Sequence, residues 1–223
     1  MILADVGDVE QEKRIAAEAA AGLVEDGMTV GLGTGSTVAY LLPALATRGL
    51  TLRCVATSGR TEEQARGLGL AVEPFSGLAR LDIAIDGADQ ISPAGWLVKG
   101  GGAAHTREKI VAASSDRFVV IASSDKLVEA VGPPIPLELL AYGLDATLAR
   151  LGEVELRDVP ASPDGGVIAD YLGPVEDPEV VAARLAAMPG VVDHGLFPPQ
   201  LVSEIIIARG SNVERIIPAG LQA

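Results

Sequence analysis

Strand-like and helix-like segments alternate from residue 28 to residue 122, and this constrains the fold more than any other feature of the chain. Short aliphatic runs fall at 28–32, 50–56, 70–75, 81–85, 96–98 and 118–122. Between them lie segments of helical character at 38–46, 60–67 and 104–114. An Ala-rich helix is expected before them, over 9–25, closed by Asp26-Gly27. Strands that are apolar nearly throughout are buried on both faces, and a helix is the usual connection between two parallel strands. The pattern predicts an α/β fold built on a Rossmann-like open parallel sheet. Ligands of such sheets collect beyond the C-terminal ends of the strands, and the polar loops of this chain follow its apolar runs.

The pattern changes after residue 130. Gly132-Pro133-Pro134-Ile135-Pro136 reads as a stiff linker. Helices are expected at 137–151 and 178–188, with short strands at 154–157, 167–171 and from 191. These elements predict a second, smaller α+β lobe over 131–203. The apolar run 201–208 returns to the first sheet, so the first lobe comprises 1–130 and about 204–223.

Composition limits what the loops can bind. Aromatic residues are 3% of the chain, which leaves few rings for base stacking. With 17 basic and 30 acidic residues the net charge is −13, a surface that repels nucleic acid. A phosphate site must therefore concentrate a few lysines and backbone N–H groups. Cys54, the single cysteine, lies in an apolar run and reads as a buried small hydrophobe. No apolar run approaches a membrane span. Met1-Ile2-Leu3-Ala4-Asp5 has no leader character. The expectation is a cytoplasmic protein without nucleic-acid or membrane partners.

Four loops carry candidate chemistry. Gly33-Thr34-Gly35-Ser36-Thr37 joins a strand to a helix and suits a phosphate at the helix N-terminus. The plain alternative is a tight turn with Ser36 as N-cap. No Gly-Lys-Ser/Thr follows, so it is not a Walker loop, and Ser36 spoils a dinucleotide fingerprint. Asp86-Gly87-Ala88-Asp89 sets two carboxylates at a strand end. That pair marks a turn, binds sugar hydroxyls, or holds Mg²⁺, the last without further ligands nearby. Lys99-Gly100-Gly101-Gly102 places a lysine on a loop that is costly to order unless its N–H groups meet an anion. Glu108 lies one turn into the next helix, beside that loop. Arg107 and Lys109 are assigned to solvent, and His105 and His194 to the surface or to caps. Lys126, after the next strand, completes a phosphate site or is an ordinary surface lysine.

Taken in order, these motifs resemble the ribose-5-phosphate isomerases of type A over nearly the whole chain. The anchors are Gly-Thr-Gly-Ser-Thr at 33–37, Asp-Gly-Ala-Asp at 86–89, Lys-Gly-Gly-Gly-Ala-Ala at 99–104 and Thr-Arg-Glu-Lys-Ile at 106–110. The resemblance implies cofactor-independent interconversion of ribose 5-phosphate and ribulose 5-phosphate, with no metal, by a homodimer or homotetramer. It implies that Glu108 is the proton-transferring base and that Asp86, Asp89 and Lys99 surround the reacting end of the sugar. Thr34, Gly35, Ser36, Thr37, Gly87, Ala88, Gly100, Gly101, Gly102 and Lys126 match substrate-binding positions, and Lys13 a further phosphate contact. Two other classes share this architecture: sugar-phosphate-sensing regulatory modules, which need no base, and CoA transferases, which use a glutamate as nucleophile.

Overall fold

The main sheet has six strands: β1 (Thr29–Leu32), β2 (Arg53–Ala56), β3 (Leu81–Asp86), β6 (Ser115–Ser123), β12 (Glu204–Arg209) and β13 (Asn212–Ile216), in the order β13-β12-β6-β3-β1-β2. A computed structural model describes residues 6–218 of the chain. The N-terminal pentapeptide and the last residues assigned to the first lobe, 219–223, lie outside the described residues. The five strands from β12 to β2 run parallel, and β13 pairs antiparallel with β12 at the edge. Strand β13 is a finding the apolar pattern did not predict. Its residues are largely exposed, so no hydrophobic run marks it, and it forms through the hairpin at Gly210.

Helices α1 (Val6–Ala21), α2 (Val38–Ala46) and α3 (Gly59–Gly67) follow the alternation. Ala16, Ala17 and Ala20 of α1 are fully buried and pack with Leu41, Leu42 and Leu45 of α2 over Leu32, Ile85 and Ile121 of the sheet. Small side chains let α1 approach closely, while each buried leucine contributes about 1.5–3 kcal/mol. Helix α4 (His105–Ala113) covers the other face. It is seated directly on β1, because a Cβ at Gly31 would stand 2.4 Å from a Val111 methyl. Among the described residues no helix is long and apolar enough to cross a membrane.

The second sheet, in the order β10-β7-β9-β8, is antiparallel: β7 (Ile135–Leu139), β8 (Val154–Leu156), β9 (Val167–Tyr171) and β10 (Val191–His194). Helices α5 (Leu144–Leu151) and α6 (Pro178–Ala186) accompany it. Residues 137–139 are strand, not helix, and the stiff linker ends in that same strand. All five β7 residues are buried, and the pairing of Pro136 with Asp170 overrides local helical character. The chain then turns at Gly143, with φ +69°, before α5 begins. Residues 70–75 make only an isolated bridge, Val72 to Cys54, in place of the expected strand.

A third, small antiparallel sheet stitches distant parts together. Strand β5 (Leu97–Val98) lies between β4 (Gln90–Ile91) and β11 (Leu196–Phe197). Lys99 follows β5 directly, and its N–H donates to Gly195 O at 2.9 Å. A Cβ at Gly195 would stand 2.2 Å from Lys99 O, so the close approach depends on glycine.

Candidate active site

Asp86 ends β3 with its carboxylate buried beneath the 33–37 loop. Its Oδ1 accepts from Thr34 N–H at 3.0 Å and Gly87 N–H at 2.7 Å. Gly33 makes room, since a Cβ there would stand 2.0 Å from Asp86 Cγ. Hydroxyls brace the loop: Thr34 Oγ1 lies 2.8 Å from Thr57 Oγ1 and 2.9 Å from Ser58 Oγ, and Thr61 Oγ1 donates to Gly33 O at 2.9 Å. Thr37, not Ser36, precedes the first residue of α2, and it makes no side-chain cap. The N–H of Ala39 donates to Gly35 O, so those of residues 36–38 fall at the open helix terminus, where an anion is favoured.

Lys99 extends under the same region. Its ammonium lies 2.9 Å from Asp86 Oδ2 and 3.1 Å from Glu108 Oε2, and donates to Gly87 O. Glu108 stands in the first turn of α4, which turns it inward. Asp86, Lys99 and Glu108 are all buried. Asp86 Oδ2 and Glu108 Oε2 touch the ammonium, yet neither accepts a hydrogen bond of sound geometry. Buried acceptors are ordinarily satisfied, so Glu108 Oε2, whose residue lines the cavity, has capacity for an incoming hydroxyl.

Burial, with the nearby Asp86 charge, pushes the Glu108 carboxyl up to about 8, although Lys99 opposes the rise. Burial also raises Asp86 above the usual carboxylate range against the pull of Lys99. For Lys99, burial acts to lower its pKa, but Asp86 and Glu108 outweigh it and hold the ammonium charged.

The glycine loop completes the wall. Gly100 adopts φ +107°, a conformation that L side chains rarely reach. Gly101 N–H donates to Asp89 Oδ2 at 2.8 Å, and a Cβ at Gly101 would crowd that carboxylate. Gly102 N–H takes no partner among the described residues. A cavity of about 110 Å³ is lined by residues 34–37, 87–89 and 99–102, with Glu108 and Lys126. Lys126 sits in the 3-10 turn Ser124–Lys126, which buried Glu12 of α1 holds through the Ser124 N–H and hydroxyl, each at 2.8 Å. The four loops of the sequence thus meet at one cavity. Asp86 lies behind its wall and reaches it through Lys99. Lys13 is paired with Glu10 at 2.6 Å and does not line the cavity.

Other polar residues sit differently from their expectation. His105 and His194 are buried, and burial drives each down to about 3. Lys109 is directed inward to Asp193 and the His194 carbonyl. The reason is α4 packing against β10, a strand from more than 80 residues away, which no local pattern signals. Arg107 pairs with Asp164 at 2.7 Å near the surface. Arg157, which the sequence did not single out, reaches the glycine loop from the second sheet. Cys54 is buried as expected, its thiol raised to about 11 by burial. Among the described residues, no three His, Cys, Asp or Glu side chains gather as a metal-holding group.

An open α/β sheet whose strand-end loops enclose a buried carboxylate–lysine–carboxylate set defines an enzyme of acid–base type acting on a small polar molecule. The comparisons narrow the class. The family model for ribose 5-phosphate isomerase A (phosphoriboisomerase A) matches residues 53–212. A ribose-5-phosphate isomerase A of Caulobacter sp. (strain K31) is 42% identical over 224 residues, covering 94% of this chain and 99% of the relative. The crystal structure of ribose 5 phosphate isomerase A from Neisseria gonorrhoeae superposes with a TM-score of 0.89 at 31% identity, covering 94% of this chain and 97% of that one. A D-ribose-5-phosphate isomerase in complex with phospho-erythronic acid gives a TM-score of 0.88 at 30% identity, covering 94% and 99%. This chain belongs to the ribose 5-phosphate isomerase A family.

Proposed function

We propose that this chain interconverts D-ribose 5-phosphate and D-ribulose 5-phosphate, and that the contact of Glu108 with Lys99 at the cavity wall carries the chemistry. Asp89, exposed at the cavity, exchanges protons with the sugar hydroxyls: the C1 hydroxyl loses its proton and the ring oxygen gains one as the furanose opens. Asp86 acts through Lys99, keeping it charged and in place. Glu108 then takes the C2 proton, leaving a 1,2-enediolate, and returns it to C1. A proton passes from O2 to O1 in the same step, so atoms and charge balance. General-base catalysis of this kind is worth roughly 10²–10⁴-fold. Lys99 and the loop N–H groups stabilise the oxyanion.

The phosphate is held by the 33–37 loop and Lys126, local positive potential in a chain of net charge −13. Its binding energy positions the reacting carbons. The reaction needs no cofactor or metal. Of the described residues, those up to 130 with about 204–218 form the catalytic lobe, and 131–203 the smaller one. The chain assembles as a homodimer or homotetramer, a reading supported by large side chains left exposed on the second lobe, such as Tyr142 and Val180 at 94% and 62%. The protein works in the cytoplasm.

The deciding assay is ketose formation from ribose 5-phosphate by the purified protein in the presence of a chelator. Turnover that survives chelation supports the reading, and absence of turnover overturns it. Arabinose 5-phosphate tests discrimination at C2. Labelling of Glu108 by acyl-CoA would instead support a CoA transferase. Light scattering in solution reads the oligomeric state.

A further inference from the structure

Arg157 lies just beyond β8, outside every motif that lines the cavity. Its guanidinium joins the two sheets' territories. Nε and Nη2 donate to Asp170 Oδ2 and Oδ1 at 2.7 and 2.6 Å. Nη1 donates to Gly100 O at 2.8 Å and to Gly101 O at 3.2 Å. The Arg157–Asp170 pair is mostly buried, with side chains 17% and 19% exposed. Only arginine carries a planar fork able to hold a carboxylate on one side and two carbonyls on another.

The loop it holds has two other bonds, one turn bond from Ala103 N–H to Gly100 O at 3.0 Å and the bond from Gly101 N–H to Asp89. Consecutive glycines lose more conformational freedom on folding than any other residues. Gly100 is in the left-handed region and Gly102 N–H is without a partner among the described residues. Each peptide unit has a negative carbonyl end and a positive amide end. With the Gly100 and Gly101 carbonyls bound to Arg157, those negative ends are drawn to a side chain that does not line the cavity. An anionic intermediate beside Lys99 then meets the loop without carbonyl repulsion.

We propose that Arg157, anchored on Asp170, is a positioning residue for the isomerisation: it sets the orientation of the 100–102 loop toward the developing enediolate. The inference rests on the isomerase reading of the site and deepens it.

Arg157→Lys keeps the charge but cannot span Asp170 and both carbonyls. The expected result is a folded enzyme with kcat lowered roughly 10²-fold, the scale of a small misplacement at a reacting centre, and KM little changed. Affinity for a phosphorylated four-carbon aldonate, which mimics the enediolate, should fall by a similar factor, while inhibition by inorganic phosphate stays as in the wild type. Asp170→Asn, which leaves Arg157 in place with a weaker anchor, should show a smaller loss confined to the same parameters. It carries the test if Arg157→Lys does not fold. Wild-type kcat in either folded variant, or equal loss of aldonate and phosphate affinity, overturns the proposal. An inactive wild type overturns the isomerase reading instead, so the two failures are distinct.

Discussion

Glu108 Oε2 lies 3.1 Å from Lys99 Nζ, with the two side chains 4% and 3% exposed. The pair is not a simple salt bridge, because Lys99 also touches Asp86 at 2.9 Å. One ammonium thus serves two carboxylates away from water. Burial first, and then the Asp86 charge that the shared ammonium does not fully offset, raise the Glu108 pKa. A base near neutrality is well matched to moving a carbon-bound proton in both directions.

Glu108→Gln retains size and helix propensity and removes the base. Turnover should fall by roughly 10²–10⁴-fold with phosphate inhibition preserved. Near wild-type kcat in the folded variant would remove Glu108 from the mechanism.

The pH profile should report the same group. Glu108 acts as a base only when ionised, and its carboxyl sits at about 8. For the free enzyme, kcat/KM should therefore rise about tenfold per pH unit on the acid side and level off above that value. Asp86→Asn removes the neighbouring negative charge, so the limb should move to lower pH. A limb that stays or moves upward would assign it elsewhere.

Lys99→Gln leaves two buried carboxylates without their cation. Removing one partner of a buried pair costs about 3–5 kcal/mol. The sign of the pH dependence follows from the raised carboxyls. Their stabilisation is full below the ordinary carboxylate range and is lost as pH rises through the folded value. The variant should thus be hurt more at pH 8 than at pH 5 in urea unfolding, and equal loss at both would contradict the assignment.

His105 has the opposite dependence. It is buried and held neutral, down to about 3 against an ordinary 6.5. Its contribution is present above 6.5 and lost as pH falls toward the folded value. Between pH 7 and pH 5 the wild type should lose about 2 kcal/mol relative to His105→Gln. Denaturant midpoints at the two pH values measure this, and parallel curves would refute it.

Gly100 and Gly102 should separate by substitution. At Gly100 a Cβ would stand 2.7 Å from His105 Nδ1 in a left-handed backbone, so Gly100→Ala should lose about 1–3 kcal/mol and lower Tm. At Gly102 a Cβ meets only a Thr34 methyl at 3.5 Å, so Gly102→Ala should keep its Tm while its methyl, at the cavity wall, raises KM. The reverse order would show that the loop is held differently.

The amino-acid order alone determined the alternating α/β half of the molecule and the loops that bear chemistry, because those rest on local periodicity and on glycines at strand ends. Gly33, Asp86, Lys99 and Glu108 could each be named from their motifs. What local pattern could not reach was anything decided by distant pairing. Strand β7 was hidden in helix-like sequence until β9 and β10 flanked it, and β13 has no apolar run to announce it. The burial of His105 and His194 and the inward turn of Lys109 depend on β10 meeting α4, and the hold of Arg157 on Gly100 on a bond across 57 residues. Only the tertiary structure placed Asp86 behind Lys99 and not on the cavity wall. Desolvation and charge–charge coupling depend on which groups share the same few ångströms, and the chain order does not contain that distance.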